Sequence, residues 1–175
     1  MNGSTPLRKR CVILMIKKLI DEICASLENG NFIVALTSAL TIPDACGKVE
    51  YPNEGSSKKR YINWYKKYVA QYDRDPGDTS MPYPDSNLVY DLRCSMLHEG
   101  NPSVNLKKRN LSRFVLLKTR DYSYGGMRSV DSEGNRTLEI AIWNFCFQIC
   151  EVAKRYYEKN IDKFIFNYRI EERYF

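Results

Sequence analysis

A single histidine, His98, stands in a chain of 175 residues, so any imidazole chemistry runs through that side chain or through its copy in a second subunit. Arg93 lies just upstream, in the stretch Asp91-Leu92-Arg93-Cys94-Ser95-Met96-Leu97-His98-Glu99-Gly100-Asn101-Pro102. A guanidinium pairs with phosphate oxygens through parallel N–H donors, and an imidazole gives or takes a proton near neutral pH. Together they are the minimum parts for metal-free cleavage of RNA, in which a base activates the ribose 2′-hydroxyl and a cation holds the phosphate. The same residues have a plainer use. A histidine just before a Gly-Asn-Pro break serves as a C-terminal capping residue, and Arg93 can pair with Asp91 or Glu99 on the surface.

Either use requires a helix. Asp85 after Pro84 can cap its start, and Gly100-Asn101-Pro102 stops it shortly after His98. At ~100° per residue, Leu88, Val89, Leu92 and Met96 gather within about a third of the circumference and face inward. Arg93 and His98 fall outside that stripe, ~140° apart, with Cys94 between them. Downstream, Lys107-Lys108-Arg109 is placed to capture an RNA backbone electrostatically. Arg93 and His98 are therefore the candidate catalytic pair. Cys94, Ser95, Asn101, Lys107, Lys108 and Arg109 are the candidate substrate contacts.

The remaining elements read as a helical frame. Ile13, Ile16, Leu19, Ile20, Ile23 and Leu27 mark one face of a helix over 8–28, which Asn29-Gly30 ends. A second helix over 31–42 is apolar almost all round, as a central helix would be. Pro43 either kinks it or opens a new turn, and Gly47 and Pro52 break later continuity. Ser56-Ser57 offers an N-cap for a third helix, on which Tyr61, Ile62, Trp64, Tyr65, Tyr68 and Val69 form the inner stripe. Its lysines read as a solvated face or as phosphate contacts. Residues 73–84, with Asp75-Pro76-Gly77, are a loop.

Segments 113–120 and 136–142 read as strands, the second alternating at Leu138, Ile140 and Ile142, and residues 122–135 between them as turn material. The two strands are expected to pair as a hairpin with a long connection, inserted at about 113–142. A long helix follows over 143–159, and the aromatic tail 161–175 needs a surface to dock on, its own bundle or a second subunit. The fold class is mainly α, one domain over 1–175 with a small β-hairpin insertion.

Composition bounds the rest. Lys plus Arg is 27 against 21 Asp plus Glu, a formal +6 that weakly favours anionic partners. The six cysteines (Cys11, Cys24, Cys46, Cys94, Cys146, Cys150) contain no C-x-x-C pair, and a chain of this size needs no disulfide staples. They read as reduced, buried side chains in a cytoplasmic protein. Cys146 and Cys150 share a helical face, but with one histidine and no matching pair they read as core rather than zinc ligands. No metal, cofactor or membrane span is expected, since no segment approaches the ~18 uncharged apolar residues a span needs.

Arg93-x-x-x-x-His98 at a helix end in a small helical domain resembles the R-x4–6-H motif of HEPN domains, and the resemblance extends over residues 8–160. It also takes in Ile42-Pro43-Asp44-Ala45-Cys46-Gly47-Lys48-Val49-Glu50-Tyr51-Pro52 and Lys58-Lys59-Arg60-Tyr61. HEPN domains are α-helical up-down bundles that include many prokaryotic RNases and toxins. The resemblance implies a homodimer whose two copies of Arg93 and His98 line one cleft, an RNA or nucleotide ligand, and room for a cognate antitoxin. Cys94 stands where active members carry a polar residue, often Asn or Asp. Two readings outside catalysis stay open: a binding module that holds RNA or a nucleotide, and an interaction protein whose His98 only caps a helix.

Overall fold

The computed structural model describes residues 6–73, 83–120 and 126–164. Six α-helices run through them: α1 (Pro6–Glu28), α2 (Phe32–Ala39), α3 (Ile42–Glu50), α4 (Ser57–Tyr68), α5 (Ser86–Glu99) and α6 (Ile142–Lys159). A small sheet sits between α5 and α6 in the chain, made of β1 (Arg113–Leu117), β2 (Gly126–Val130) and β3 (Arg136–Ala141). The protein is mainly helical, as the apolar spacing predicts.

One apolar cluster joins all six helices and the sheet. Its largest wholly buried side chains include Trp64, Tyr61, Tyr65, Phe145, Ile23, Leu36 and Leu92. The aromatic stripe of α4 is thus core, and Lys58, Lys59, Lys66 and Lys67 stay on its wet face. Each large apolar side chain so buried contributes roughly 1.5–3 kcal/mol against the entropy of ordering it. Packing runs α1 on α2 and α6, α3 on α4, and α4 on α5.

The 31–42 helix is shorter than expected. α2 ends at Ala39 and α3 starts at Ile42, with Pro43 in its first turn where the missing N–H costs nothing. Gly47 does not break the chain but lies inside α3. A Cβ there would come 2.7 Å from the Arg60 carbonyl oxygen, so the glycine lets α3 and α4 approach backbone to backbone. The stretch Phe32–Glu50 has the length and apolar composition to cross a membrane, contrary to the expectation that none does. It is two helices, which bury Leu36, Ile42 and Cys46 in the core.

The hairpin expectation is corrected. β1 and β3 pair in parallel, Phe114 opposite Leu138 and Leu116 opposite Ile140. The hairpin is instead β2 with β3, Arg128 opposite Leu138, so the sheet order is β1-β3-β2. The supposed turn material holds a strand, and the true turn is 131–135, where Gly134 takes φ +83° and Asp131 accepts from the backbone N–H groups of Glu133 and Asn135. Parallel neighbours need a crossover, and the segment carrying β2 supplies it. Of the tail, Phe164 docks on the protein's own Tyr156 and Tyr157; Ile165, Phe166, Tyr168, Tyr174 and Phe175 lie outside the described residues.

Candidate functional site

α5 starts where Asp85 Oδ1 accepts from the N–H groups of Asn87 (2.8 Å) and Leu88 (3.0 Å), and ends at Gly100, whose φ of +64° forms the left-handed cap. Leu88, Val89, Leu92 and Met96 are buried as the wheel requires. That burial fixes the helix's rotation and hence what its other faces present.

Arg93 faces α3. Its Nε (3.0 Å) and Nη2 (2.9 Å) both donate to Asp44 Oδ2, a partner that neither Asp91 nor Glu99 provides. Burial pushes the Asp44 carboxyl up from its ordinary range, with Arg93 opposing. Burial likewise works against the Arg93 charge, but Asp44 outweighs it and holds the guanidinium protonated. The pair sits beside buried Tyr61, whose hydroxyl donates to the Leu40 carbonyl (3.0 Å) and whose ring meets Tyr90 edge-on at 5.3 Å. Arg93 is therefore held in one place from a helix 49 residues away in sequence.

His98 lies in the last turn of α5, exposed, with no hydrogen bond or ion pair from its side chain among the described residues. Five residues at ~100° each turn it ~140° away from Arg93, with about 7.5 Å of axial rise between them. One copy of α5 consequently aims the guanidinium and the imidazole over different parts of the surface.

An open groove of about 280 Å³ lies on the face of α5 that carries Asp91, Cys94, Ser95 and Glu99, and the segment 103–108 lines it with Val104 and Lys108. Of the expected substrate contacts it gathers Cys94, Ser95 and Lys108 and leaves out Asn101, Lys107 and Arg109, and neither member of the expected catalytic pair, Arg93 and His98, lines it. Ser95 is buried and works as a fastener. Its Oγ lies 2.6 Å from the Asn101 carbonyl, 2.7 Å from Ser103 Oγ and 3.3 Å from Glu99 Oε2. Asn101 itself is exposed, tied in through its backbone. Arg109 is also a structural cation: its side chain is 9% exposed and pairs with Asp91 and, at 3.6 Å, with Asp85. Lys108 stands 3.8 Å from Asp91 with its side chain 61% exposed, and Lys107 is exposed.

From the sequence Asp44 and Ser103 carry no role, and Glu99 stands only as a surface partner for Arg93, a place that Asp44 takes instead. Asp44 had one local signal, an acidic residue in the first turn of a helix. Ser103 had none, because only the fold of the 100–103 turn brings it to Ser95 beside Glu99. Among the described residues, no group of three His, Cys, Asp or Glu side chains is placed to hold a metal ion.

Comparison with protein-family models, with curated proteins and with solved structures finds no match to this chain.

Proposed function

We propose that this chain is a HEPN-like up-down bundle acting in the cytoplasm as a homodimer, and that it cleaves an RNA phosphodiester without metal or cofactor. The observation that carries the reading is the state of the two residues on α5: an exposed, uncommitted imidazole at His98 and a guanidinium at Arg93 fixed in place by Asp44. His98 takes the proton of the 2′-hydroxyl, which attacks phosphorus while the 5′-oxygen leaves and is protonated. The products are a 2′,3′-cyclic phosphate and a 5′-hydroxyl. Base and acid are two jobs, and each chain has one histidine. The ~140° turn between Arg93 and His98 also keeps one copy from presenting both to a single phosphate. Both points call for a C2 pairing of α5 helices or the surfaces beside them. Lys107 and Lys108 on the exposed turn after α5 give the strand its electrostatic hold, whereas Arg109 stays with Asp85 and Asp91.

The Asp44–Arg93 pair also favours a second reading. A phosphate has to share Arg93 with a carboxylate already in contact, and Cys94 follows the arginine. Both suit a non-catalytic module that holds RNA or a nucleotide.

The test is cleavage of single-stranded and structured RNA in the presence of EDTA. His98→Ala should lower the rate by about 10²–10⁴ while preserving the fold, since the side chain is exposed. Arg93→Lys should rescue Arg93→Ala poorly, because lysine lacks the two-pronged donor set. Equal cleavage by wild type and His98→Ala overturns the nuclease reading. Sedimentation should show a dimer at tens of micromolar protein, and a monomer there contradicts the shared cleft.

A further inference from the structure

We propose that the groove beside the C-terminal half of α5 is a guanine site, in which the Glu99 carboxylate accepts from the two adjacent N–H groups on the base's Watson–Crick edge. The inference rests on the RNA reading only for the strand to which that base belongs.

Size sets the first bound. At about 280 Å³ the groove is small and open to solvent, room for the edge of one base rather than for a dinucleotide. Charge sets the second. Two carboxylates line the groove, and they are not equivalent. Asp91 is already engaged by Arg109 and Lys108. Glu99 makes no ion pair among the described residues, and its one hydrogen-bond partner is Ser95 Oγ at 3.3 Å. Ser95 has a single hydroxyl proton, and the Asn101 carbonyl at 2.6 Å is placed to claim it. Glu99 therefore keeps its acceptor capacity for a ligand. A phosphate entering the groove would meet that uncompensated charge, so a neutral ring with N–H donors is the better occupant.

The donor pattern selects the base. Guanine carries N1–H and N2–H₂ side by side, matching the two oxygens of a carboxylate. Adenine, cytosine and uracil each set an acceptor next to their donor and would place it against Glu99. Guanine's remaining outline offers the O6 and N7 acceptors, which suit the ammonium of Lys108, a lining residue that stands 3.8 Å from Asp91 and keeps donors to spare. Val104 and Cys94 supply apolar lining for the ring. Ser95, which lines the groove, ties α5 to both Asn101 and Ser103.

The test is calorimetric titration of the full chain with GMP, IMP and AMP, which share one phosphate and differ only in the base. GMP should bind more tightly than IMP, which lacks the N2 amino group, by about tenfold, the equivalent of ~1.4 kcal/mol. AMP should bind more weakly still. Glu99→Gln should cost GMP at least about tenfold and leave AMP binding undiminished, since the adenine acceptor no longer meets a carboxylate, with the thermal unfolding curve intact because Glu99 is exposed. Equal affinity for GMP and AMP, or no effect of Glu99→Gln, overturns the guanine site. Guanine binding by a protein that cleaves no RNA would retain the site and remove the nuclease reading. Cleavage with no preference for guanosine and no GMP binding would do the reverse.

Discussion

Replacing Asp73 by asparagine removes a buried carboxyl and should make the protein more stable at neutral pH. Asp73 is 4% exposed at the end of the short turn after α4. The Tyr65 hydroxyl donates to its Oδ2 at 3.1 Å, and Gln148 of α6 and Arg128 of β2 are the other polar groups that act on it. Burial pushes the carboxyl from its ordinary 3.8 up to about 6, because those contacts only partly offset the loss of water. The folded state thus binds this proton more tightly than the unfolded chain. Its contribution is fully present below the unfolded value and is lost as pH rises through about 6. A shift of about two units corresponds to ~3 kcal/mol, of which ~2 kcal/mol falls between about pH 4.5 and about pH 7.5. The assay is urea unfolding of wild type and Asp73→Asn at those two pH values. The difference between the two proteins isolates Asp73 from the other carboxylates. The variant should gain relative to wild type by ~2 kcal/mol on going to the higher pH. A difference that does not change with pH, or a variant less stable than wild type at neutral pH, would show that the Arg128 charge compensates the carboxylate and would refute the reasoning.

Two further substitutions test the packing that positions α5. Gly47→Ala should destabilise the protein by ~1–2 kcal/mol, because the new methyl meets backbone of Arg60 and overpacking outweighs the gain in helix propensity; a higher melting temperature would show that α3 and α4 do not meet so closely. Glu50 holds α3 to α4 and α6, accepting from Lys67 (2.6 Å), Tyr68 (2.8 Å) and Tyr156 (2.9 Å). Burial raises its pKa, but those hydrogen bonds outweigh it and the net shift is downward. Its stabilisation is therefore present above the ordinary carboxylate range and lost as pH falls through it. Glu50→Gln should cost ~1 kcal/mol in urea unfolding at neutral pH and less at about pH 3, and an equal cost at both would contradict the assignment.

The helical frame was legible because its signals are local. Asp85 and Gly100 cap α5 where their types indicate, and the apolar spacing of α4 and α5 states which faces go inward. The sheet was only half legible. Leu138 and Ile140 alternate as a buried strand must, but Gly126-Met127-Arg128-Ser129-Val130 opens on a glycine that follows another, Gly125, and has no apolar alternation, so β2 was hidden. Once a strand lies in the connection, the direction in which β1 meets β3 reverses, and no local residue records that. The site divides in the same way. The angle between Arg93 and His98 follows from 3.6 residues per turn. That Arg93 turns to Asp44, and that segment 103–108 builds a groove on the face holding Cys94, depend on contacts between distant parts of the chain.

The central claim is that a 2′-hydroxyl attacks the phosphate with His98 moving the proton, and the nature of the RNA ends tests it most directly. A labelled oligoribonucleotide is incubated with the protein in EDTA and the products are resolved by mass. Wild type should leave 2′,3′-cyclic phosphate and 5′-hydroxyl ends, and a single 2′-deoxy substitution at the cleaved position should stop the reaction there, because the attacking group is gone. Ends bearing a 3′-hydroxyl and a 5′-phosphate, cutting that persists at the 2′-deoxy position, or no cutting at all would contradict the account.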